Sequence, residues 1–171
     1  MPLGILVKSD SPIRFWVAKS NGAWSEEPQS GVRDKAGSER ADAIRGAVFS
    51  AELKFKTLYK TLAVVGQEPV GARPAWVILA TPAEGAAVRI YFDVGTGLMV
   101  RQTVTRDTPQ GPIDVDIYLE DYRDVDGVKQ PFTVRQVTPM FTMVIRLTEI
   151  KHNVALDDAI FKRPGGPTSG R

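Results

Sequence analysis

Apolar and polar residues alternate along most of the chain beyond residue 61, which is the pattern of β-strands with one covered face. Over residues 113–120 the alternation has no exception. Four apolar side chains point one way and four polar ones the other, in the order Ile113, Asp114, Val115, Asp116, Ile117, Tyr118, Leu119 and Glu120. We therefore predict a strand here with one buried face and one wet face.

Other segments of strand composition are separated by turns that contain glycine or proline. They cover residues 61–68, 74–81, 88–93, 98–105, 128–137 and 141–148. Residues 75–80 are apolar on both faces, which predicts a central strand covered on each side. Pro131 has no N–H for a strand ladder, and this predicts an edge position or a bulge. Because the connections are short, neighbouring strands should be antiparallel.

The first part of the chain has a different pattern. Residues 13–25 predict a hairpin that turns at Asn21-Gly22, since both central positions of a type I′ turn require positive φ. A polar loop should follow over residues 26–37.

Apolar residues then recur at helical spacings of three and four, at Ala41, Ile44, Val48, Ala51 and Phe55. This spacing predicts one helix over residues 38–54, with Ser38 as its cap and with Glu39 and Asp42 in its positively polarised first turn. One apolar stripe of this helix should lie against the sheet.

Together these elements predict a mainly β (α+β) fold, with a curled antiparallel sheet and one main helix. A single helix cannot cover so wide a sheet, so the sheet must curl on itself or pack against something else. We predict a single domain over residues 1–163. Residues 164–171 have the Gly- and Pro-rich composition of a linker, and we expect them to be disordered.

Composition narrows the classes of function. The chain of 171 residues is 43% hydrophobic and 25% charged, which is ordinary for a globular protein. Its net charge is only +2, and no basic run predicts a nucleic-acid partner. There is no cysteine, so disulfides, thiol catalysis and thiolate metal sites are excluded. The first residues resemble no signal peptide, and no apolar run is long enough to span a bilayer, so we expect a cytosolic protein or a trimmed exported one.

The candidate catalytic residues are few. His152 is the only histidine, lacks an identifiable orienting partner, and is expected to be solvated. Asp114, Asp116 and Glu120 share a strand face and resemble a hydrolase carboxylate pair, but a wet face paired with Arg101 and Arg135 is the simpler interpretation.

Three further patterns favour structure over chemistry. The sequence Gly95-Thr96-Gly97 joins two strands and so is not a phosphate loop, which would open a helix. Asp124-Val125-Asp126-Gly127 lacks the spacing and the closing glutamate of a calcium loop, and it is interpreted as a hairpin turn. Trp16, Trp24 and Trp76 are expected in the core. We therefore predict no catalysis, no metal and no cofactor.

Two sequence blocks resemble those of LolA-like proteins, the bacterial outer-membrane lipoprotein carriers and their relatives. Residues 91–101, Tyr-Phe-Asp-Val-Gly-Thr-Gly-Leu-Met-Val-Arg, are similar to a family hairpin, and residues 121–132 to a block of related envelope proteins. Residues 62–68 also resemble the strand that follows the family's helix. The resemblance implies an unclosed half-barrel whose concave face, capped by helices, holds acyl chains. It also implies a periplasmic or cell-envelope location and no cofactor.

The resemblance and the surplus of apolar strand surface together predict a binding domain for a lipid or a lipidated protein. The residues expected to line its concave face are Phe92, Ile117, Leu119, Met143 and Ile145. An alternative is a structural or interaction module of a larger envelope protein, with envelope proteins as partners and no small ligand. A third is a carboxylate-using hydrolase.

Overall fold

The computed structural model describes residues 3–9, 14–16, 23–27, 31–48, 51–108 and 111–155. Within these ranges there are eleven strands, two α-helices and a 3₁₀ turn. The strands are β1 Leu3–Ser9, β2 Arg14–Trp16, β3 Trp24–Glu27, β4 Gly31–Asp34, β5 Thr61–Val70, β6 Arg73–Thr81, β7 Val88–Asp93, β8 Met99–Thr108, β9 Gly111–Val125, β10 Val128–Val137 and β11 Thr142–Ala155. The helices are α1 Gly37–Gly46 and α2 Phe55–Leu58, and the 3₁₀ turn is Ala51–Lys54.

The strands form one large antiparallel sheet and one small one. Strands β5 to β11 follow each other as a meander, and β1 pairs with β11 to complete an eight-stranded sheet. The large sheet is curled but not closed, as in a half-barrel. Strands β2, β3 and β4 form a separate three-stranded sheet. The predicted fold class, mainly β with a curled antiparallel sheet, is therefore confirmed.

Strand register divides the large sheet into two chemically different faces, because residues directly opposite each other on neighbouring strands share a face. One row crosses seven strands, and we call it the central row: Val64, Ile78, Ile90, Gln102, Ile117, Gln136 and Met143. It lies on the face against which α2 packs, here called the helix face. A row on the opposite face, here called the arginine face, comprises Val77, Tyr91, Arg101, Tyr118, Arg135 and Val144.

Each face has a small buried cluster near the β6–β7 side of the sheet. On the helix face Ala80, Val88 and Ile90 are buried, and Phe55 and Tyr59 pack against them from the end of the helical segment. On the arginine face Ala75, Val77 and Tyr91 form the second cluster. Strand β6 is thus covered on both faces along part of its length, as predicted. It is, however, next to the edge strand β5 rather than central.

The prediction of one long helix over residues 38–54 is wrong. Helix α1 ends at Gly46, and the next helical elements among the described residues are the 3₁₀ turn and α2. Glycine in a helix interior costs roughly 1 kcal/mol relative to alanine, so the helix terminates there. Ser38 is not the cap either: the N-cap is Ala36, without a side-chain hydrogen bond. Helix α1 buries no residue, and the predicted apolar stripe is reduced to the contact made by Phe55.

Other differences concern individual segments. The predicted polar loop contains strand β4, which pairs with β3. Trp24 is buried as predicted, but the side chain of Trp76 is 45% exposed and is not a core residue. The side chain of Trp16, the Asn21-Gly22 turn and the tail at 164–171 lie outside the described residues. The two predicted hairpin strands around that turn do pair, with Trp16 opposite Trp24.

Pro131 lies inside the sheet and not on an edge strand, since β10 has β9 on one side and β11 on the other. Pairing between β10 and β11 begins only at Thr133, opposite Arg146. On the β11 side the strand is therefore a local edge at Pro131, which is where a residue without an N–H is tolerated.

Helix α1 is tethered to β4 by charge rather than by apolar packing. Arg33 donates from Nη1 to Glu39 Oε2 at 2.8 Å and from Nη2 to Oε1 at 2.6 Å, and Lys35 Nζ donates to Oε1 at 2.7 Å. The hydrogen bond from Arg33 is the main cause that lowers the pKa of Glu39 from 4.5 to about 2.

A carboxyl whose pKa is lowered on folding stabilises the folded state above its unfolded pKa, and this stabilisation is lost as pH falls through the folded pKa. We expect wild-type protein to melt at a higher temperature than Glu39→Gln at pH 7. The difference should shrink between pH 4.5 and about 2. Melting curves of both proteins across this range test it, and a difference that stays constant with pH would contradict the tether.

Candidate functional site

The five residues predicted to line a binding face lie on one face of the sheet. Ile117 and Met143 belong to the central row, and Leu119 and Ile145 both lie opposite Val134 in the next row. Phe92 lies opposite Trp76, and its ring meets Phe55 at a centroid distance of 6.3 Å. Register therefore places all five on the helix face.

All five of these side chains are half-buried, in contrast to the buried cluster of Ala80, Val88 and Ile90 on the same face. The helical segment covers the β6–β7 side of the face through Phe55 and Tyr59. The part of the face on β9 to β11 keeps solvent access within the described ranges. This face therefore offers apolar surface that the fold itself has not fully buried.

The apolar surface continues to the β5 edge, which the sequence did not reveal. Leu62, Val64 and Trp76 are on the helix face by register, opposite Ala80, Ile78 and Phe92. Their exposed fractions are 39%, 65% and 45%. Within the described ranges the large sheet thus has an apolar face from β5 to β11, and it is least covered at its two sides.

Three solved structures are similar to this chain. A LolA superfamily protein from Nitrosomonas europaea superposes with a TM-score of 0.57 at 12% identity, over 94% of this chain and 89% of the other. A DUF1329 family protein from Desulfovibrio piger gives 0.56 at 21% identity, over 92% and 68%. A domain of a proposed outer-membrane lipoprotein-sorting protein from Vibrio parahaemolyticus gives 0.55 at 11% identity, over 82% and 63%. No family model and no curated protein matches the sequence.

This chain has a LolA-like fold. The two sequence blocks that resembled LolA-like proteins are hairpins of this fold, and the structure shows why they need their residues.

In the first block Asp93 closes the β7–β8 turn of the LolA-like fold. Its Oδ1 accepts hydrogen bonds from Thr96 N at 2.7 Å and Thr96 Oγ1 at 2.8 Å, and Arg73 Nε is 3.4 Å from Oδ2. The side-chain bond from Thr96 is the largest cause that lowers the pKa of Asp93. Gly97 supplies a φ of 70° that the turn requires. The conclusion that Gly95-Thr96-Gly97 is a turn is confirmed.

The second block forms the β9–β10 hairpin. Asp124 Oδ1 accepts a hydrogen bond from Gly127 N at 2.9 Å, and Asp126 and Gly127 both have positive φ. This is the backbone of a two-residue hairpin turn and not of a calcium loop. Tyr122 anchors the strand by donating its hydroxyl hydrogen to Met99 O at 2.6 Å. Asp124, Gly127 and Tyr122 therefore stabilise the hairpin and its strand.

The acidic residues are paired, as predicted for a structural role. Arg101 donates to Asp116 Oδ1 from Nε at 3.1 Å and from Nη2 at 2.7 Å, and Thr103 Oγ1 donates to the same oxygen at 2.7 Å. Arg135 donates twice to Glu120 Oε1, at 3.1 and 2.5 Å. Asp114 is exposed and, among the described residues, accepts a hydrogen bond from Thr105 Oγ1 at 2.9 Å. The predicted pairing with Arg101 and Arg135 is confirmed.

The paired arginines alternate with tyrosines across the arginine face. Arg101 Cζ is 4.7 Å from the centroid of the Tyr91 ring and 5.6 Å from that of Tyr118, and Arg135 Cζ is 4.0 Å from that of Tyr118. Burial lowers the pKa of Arg101, but the hydrogen bonds that Arg101 donates to Asp116 and the negative charge of Asp116 raise it above its ordinary value overall. Tyr91, Arg101, Tyr118 and Arg135 therefore form a ladder of cation–π contacts across neighbouring strands. The charges of the two arginines are neutralised by Asp116 and Glu120.

A groove of about 450 Å³ lies at one end of the arginine face. Its walls include Val70, Arg73, Leu98, Tyr118 and Glu120, and Leu119 on β9 also lines it. Arg73 is paired with Asp93, and Arg135, another wall residue, with Glu120. In each of these two pairs the arginine and the carboxylate therefore neutralise each other's charge.

The expectation of a solvated His152 is wrong. Its side chain is 12% exposed, and Nδ1 is 3.1 Å from Asp126 Oδ2 in the β9–β10 turn. The sequence did not reveal this partner, which approaches only because β11 returns beside β10. Among the described residues, no three His, Asp or Glu side chains gather into a possible metal site. Nor is any described helix long and apolar enough to cross a membrane.

The ladder gives a stability prediction. Asp116→Ala leaves the guanidinium of Arg101 unpaired between two tyrosine rings, and we expect it to cost about 1 to 2 kcal/mol of unfolding free energy. Asp114→Ala is the matched control on the same strand face, with an expected cost below about 0.5 kcal/mol. Urea denaturation measures both. Equal costs would show that the Arg101 pair contributes nothing beyond a surface contact.

Proposed function

We propose that this chain is a non-catalytic binding domain of the cell envelope, which holds the acyl chain of a lipid or of a lipidated protein against its helix face. The observation that carries the proposal is the incomplete burial of that face. Phe92, Ile117, Leu119, Met143 and Ile145 line it, and all are half-buried. The apolar surface extends to exposed Val64 and Trp76 at its other side.

The energetics suit an acyl chain. Each buried methylene contributes about 0.8 kcal/mol, so a palmitoyl chain with most of its length covered gains about 11 kcal/mol. Association costs at least about 4 kcal/mol, which leaves binding in the micromolar range. The similarity to a proposed outer-membrane lipoprotein-sorting domain supports the same ligand class and a periplasmic or envelope location.

The arginine face supports a non-catalytic role. Asp116 and Glu120 each hold an arginine through two hydrogen bonds, so neither carboxylate is placed to act as an acid or a base. This arrangement argues against the carboxylate-using hydrolase.

One observation favours a second candidate, an interaction module without a small ligand. Strand β5 is an edge of the large sheet, and residues 61–67 are exposed and carry no charge. Sheet edges in soluble proteins are usually protected by charge, and an uncharged edge can pair with a strand of another protein. The test of the acyl site separates the two candidates.

Binding of cis-parinaric acid, a fluorescent fatty acid, tests the proposal. Ile145→Asp places a charge on the helix face and should weaken binding at least about tenfold, which is roughly 1.4 kcal/mol. Val144→Asp is the matched control, because the neighbouring residue on β11 points to the arginine face. It should change binding less than about twofold.

Melting temperatures of both variants show whether they remain folded during the titration. Native mass spectrometry of the purified wild type should also detect a lipid adduct. If Ile145→Asp and Val144→Asp weakened probe binding equally, the probe would not be bound specifically to the helix face. Absence of both probe binding and adduct would leave the interaction module as the function.

A further inference from the structure

Two glutamines interrupt the apolar helix face at matched positions. Gln102 on β8 and Gln136 on β10 both lie directly opposite Ile117 on β9. The other members of the central row are Val64, Ile78, Ile90 and Met143, all apolar. The two amides therefore flank the middle of the proposed acyl site, about 10 Å apart between their Cα atoms, from the spacing of strands.

The amides lack good partners within the protein. Gln102 Nε2 lies 3.0 Å from the sulfur of Met99, a weak acceptor. Within the described ranges Gln102 Oε1 and the whole Gln136 amide have no hydrogen-bond partner, and both side chains are half-buried. The amide atoms without a partner are not fully buried, so they reach solvent, and a polar group of a ligand can replace the water that they contact. If the two amides served to stabilise the sheet, they would form hydrogen bonds with neighbouring strands. Among the described residues the one contact is that of Gln102 with the Met99 sulfur.

We propose that Gln102 and Gln136 donate hydrogen bonds to the carbonyl group through which an acyl chain is joined to its carrier, so that the site selects acyl lipids over plain hydrocarbon chains. This rests on the proposed function, and it specifies the ligand as an ester- or amide-linked acyl chain. The apolar residues of the central row on one side of the amides contact the chain, and the amides of Gln102 and Gln136 reach the linkage above Ile117.

The geometry explains why amides are used here. A glutamine N–H₂ group donates to a carbonyl oxygen without bringing charge to the face. A lysine or arginine at either position would cost far more to desolvate beside Ile117 and Met143. An ether-linked chain has the same length and apolar area but no carbonyl, so it leaves both amides unsatisfied.

A matched pair of lipids tests the proposal without any mutation. 1-Palmitoyl lysophosphatidylcholine and its 1-hexadecyl ether analogue share headgroup and chain length and differ in the ester carbonyl. Isothermal titration of the wild type should show the ester binding about three- to tenfold tighter. Equal affinities would overturn the role of the glutamines while leaving the acyl site in place. Binding of neither lipid would overturn the proposed function as well.

Substitutions then test whether Gln102 and Gln136 cause the preference for the ester. Gln102→Met with Gln136→Met keeps side-chain length and removes the amides, so ester affinity should fall to that of the ether while ether affinity is unchanged. Gln130→Met, on the same strand as Gln136 but opposite Arg123, is the control and should keep the preference. The double variant should melt no lower than wild type, since it replaces poorly partnered polar groups with apolar ones. The proposal would be contradicted if the double variant still bound the ester more tightly than the ether. It would also be contradicted if the affinities for both lipids fell by the same factor.

Discussion

The continuous register of strands β5 to β11 is the constraint on which the rest of the structure depends. Side chains alternate between faces with a period of two, so a slip of one residue in any pair would exchange the faces beyond it. Two irregularities, between Val64 and Gly66 on β5 and between Tyr91 and Phe92 on β7, are absorbed locally. The central row and the tyrosine–arginine row both remain intact across them.

Separation of the two faces lets each serve a different purpose. On the arginine face, Arg101 and Arg135 are paired with Asp116 and Glu120 and stacked on Tyr118. Side-chain contacts on this face therefore connect neighbouring strands directly. The described helices cover only part of the other face, so apolar side chains there stay partly exposed.

Much of the sheet was predictable from the sequence because its information is local. The alternation over residues 113–120 and the turn at Asp126-Gly127 fix a strand, its faces and a hairpin without reference to distant residues. The strand register then places the five predicted residues on one face: Phe92, Ile117, Leu119, Met143 and Ile145. Helix length was misjudged, since apolar spacing does not reveal the stop that Gly46 introduces.

The features missed are those that depend on pairing between strands. His152 meets Asp126 only because β11 returns beside β10, a contact that no local pattern encodes. Gln102 and Gln136 look like ordinary strand residues until the register places both opposite Ile117. Strand β4 is short and has no alternation from which it could be recognised.

The pairing of β1 with β11 has a consequence for the order of folding. Strands β5 to β11 are each joined to the next by a short connection, so every pairing among them closes a small loop at low entropic cost. Leu3 and Ala155, in contrast, come from opposite ends of the described chain. Their contact closes a very long loop, and such contacts form slowly. We therefore expect the meander to assemble first, hairpin by hairpin, and β1 to be the last strand added to the large sheet.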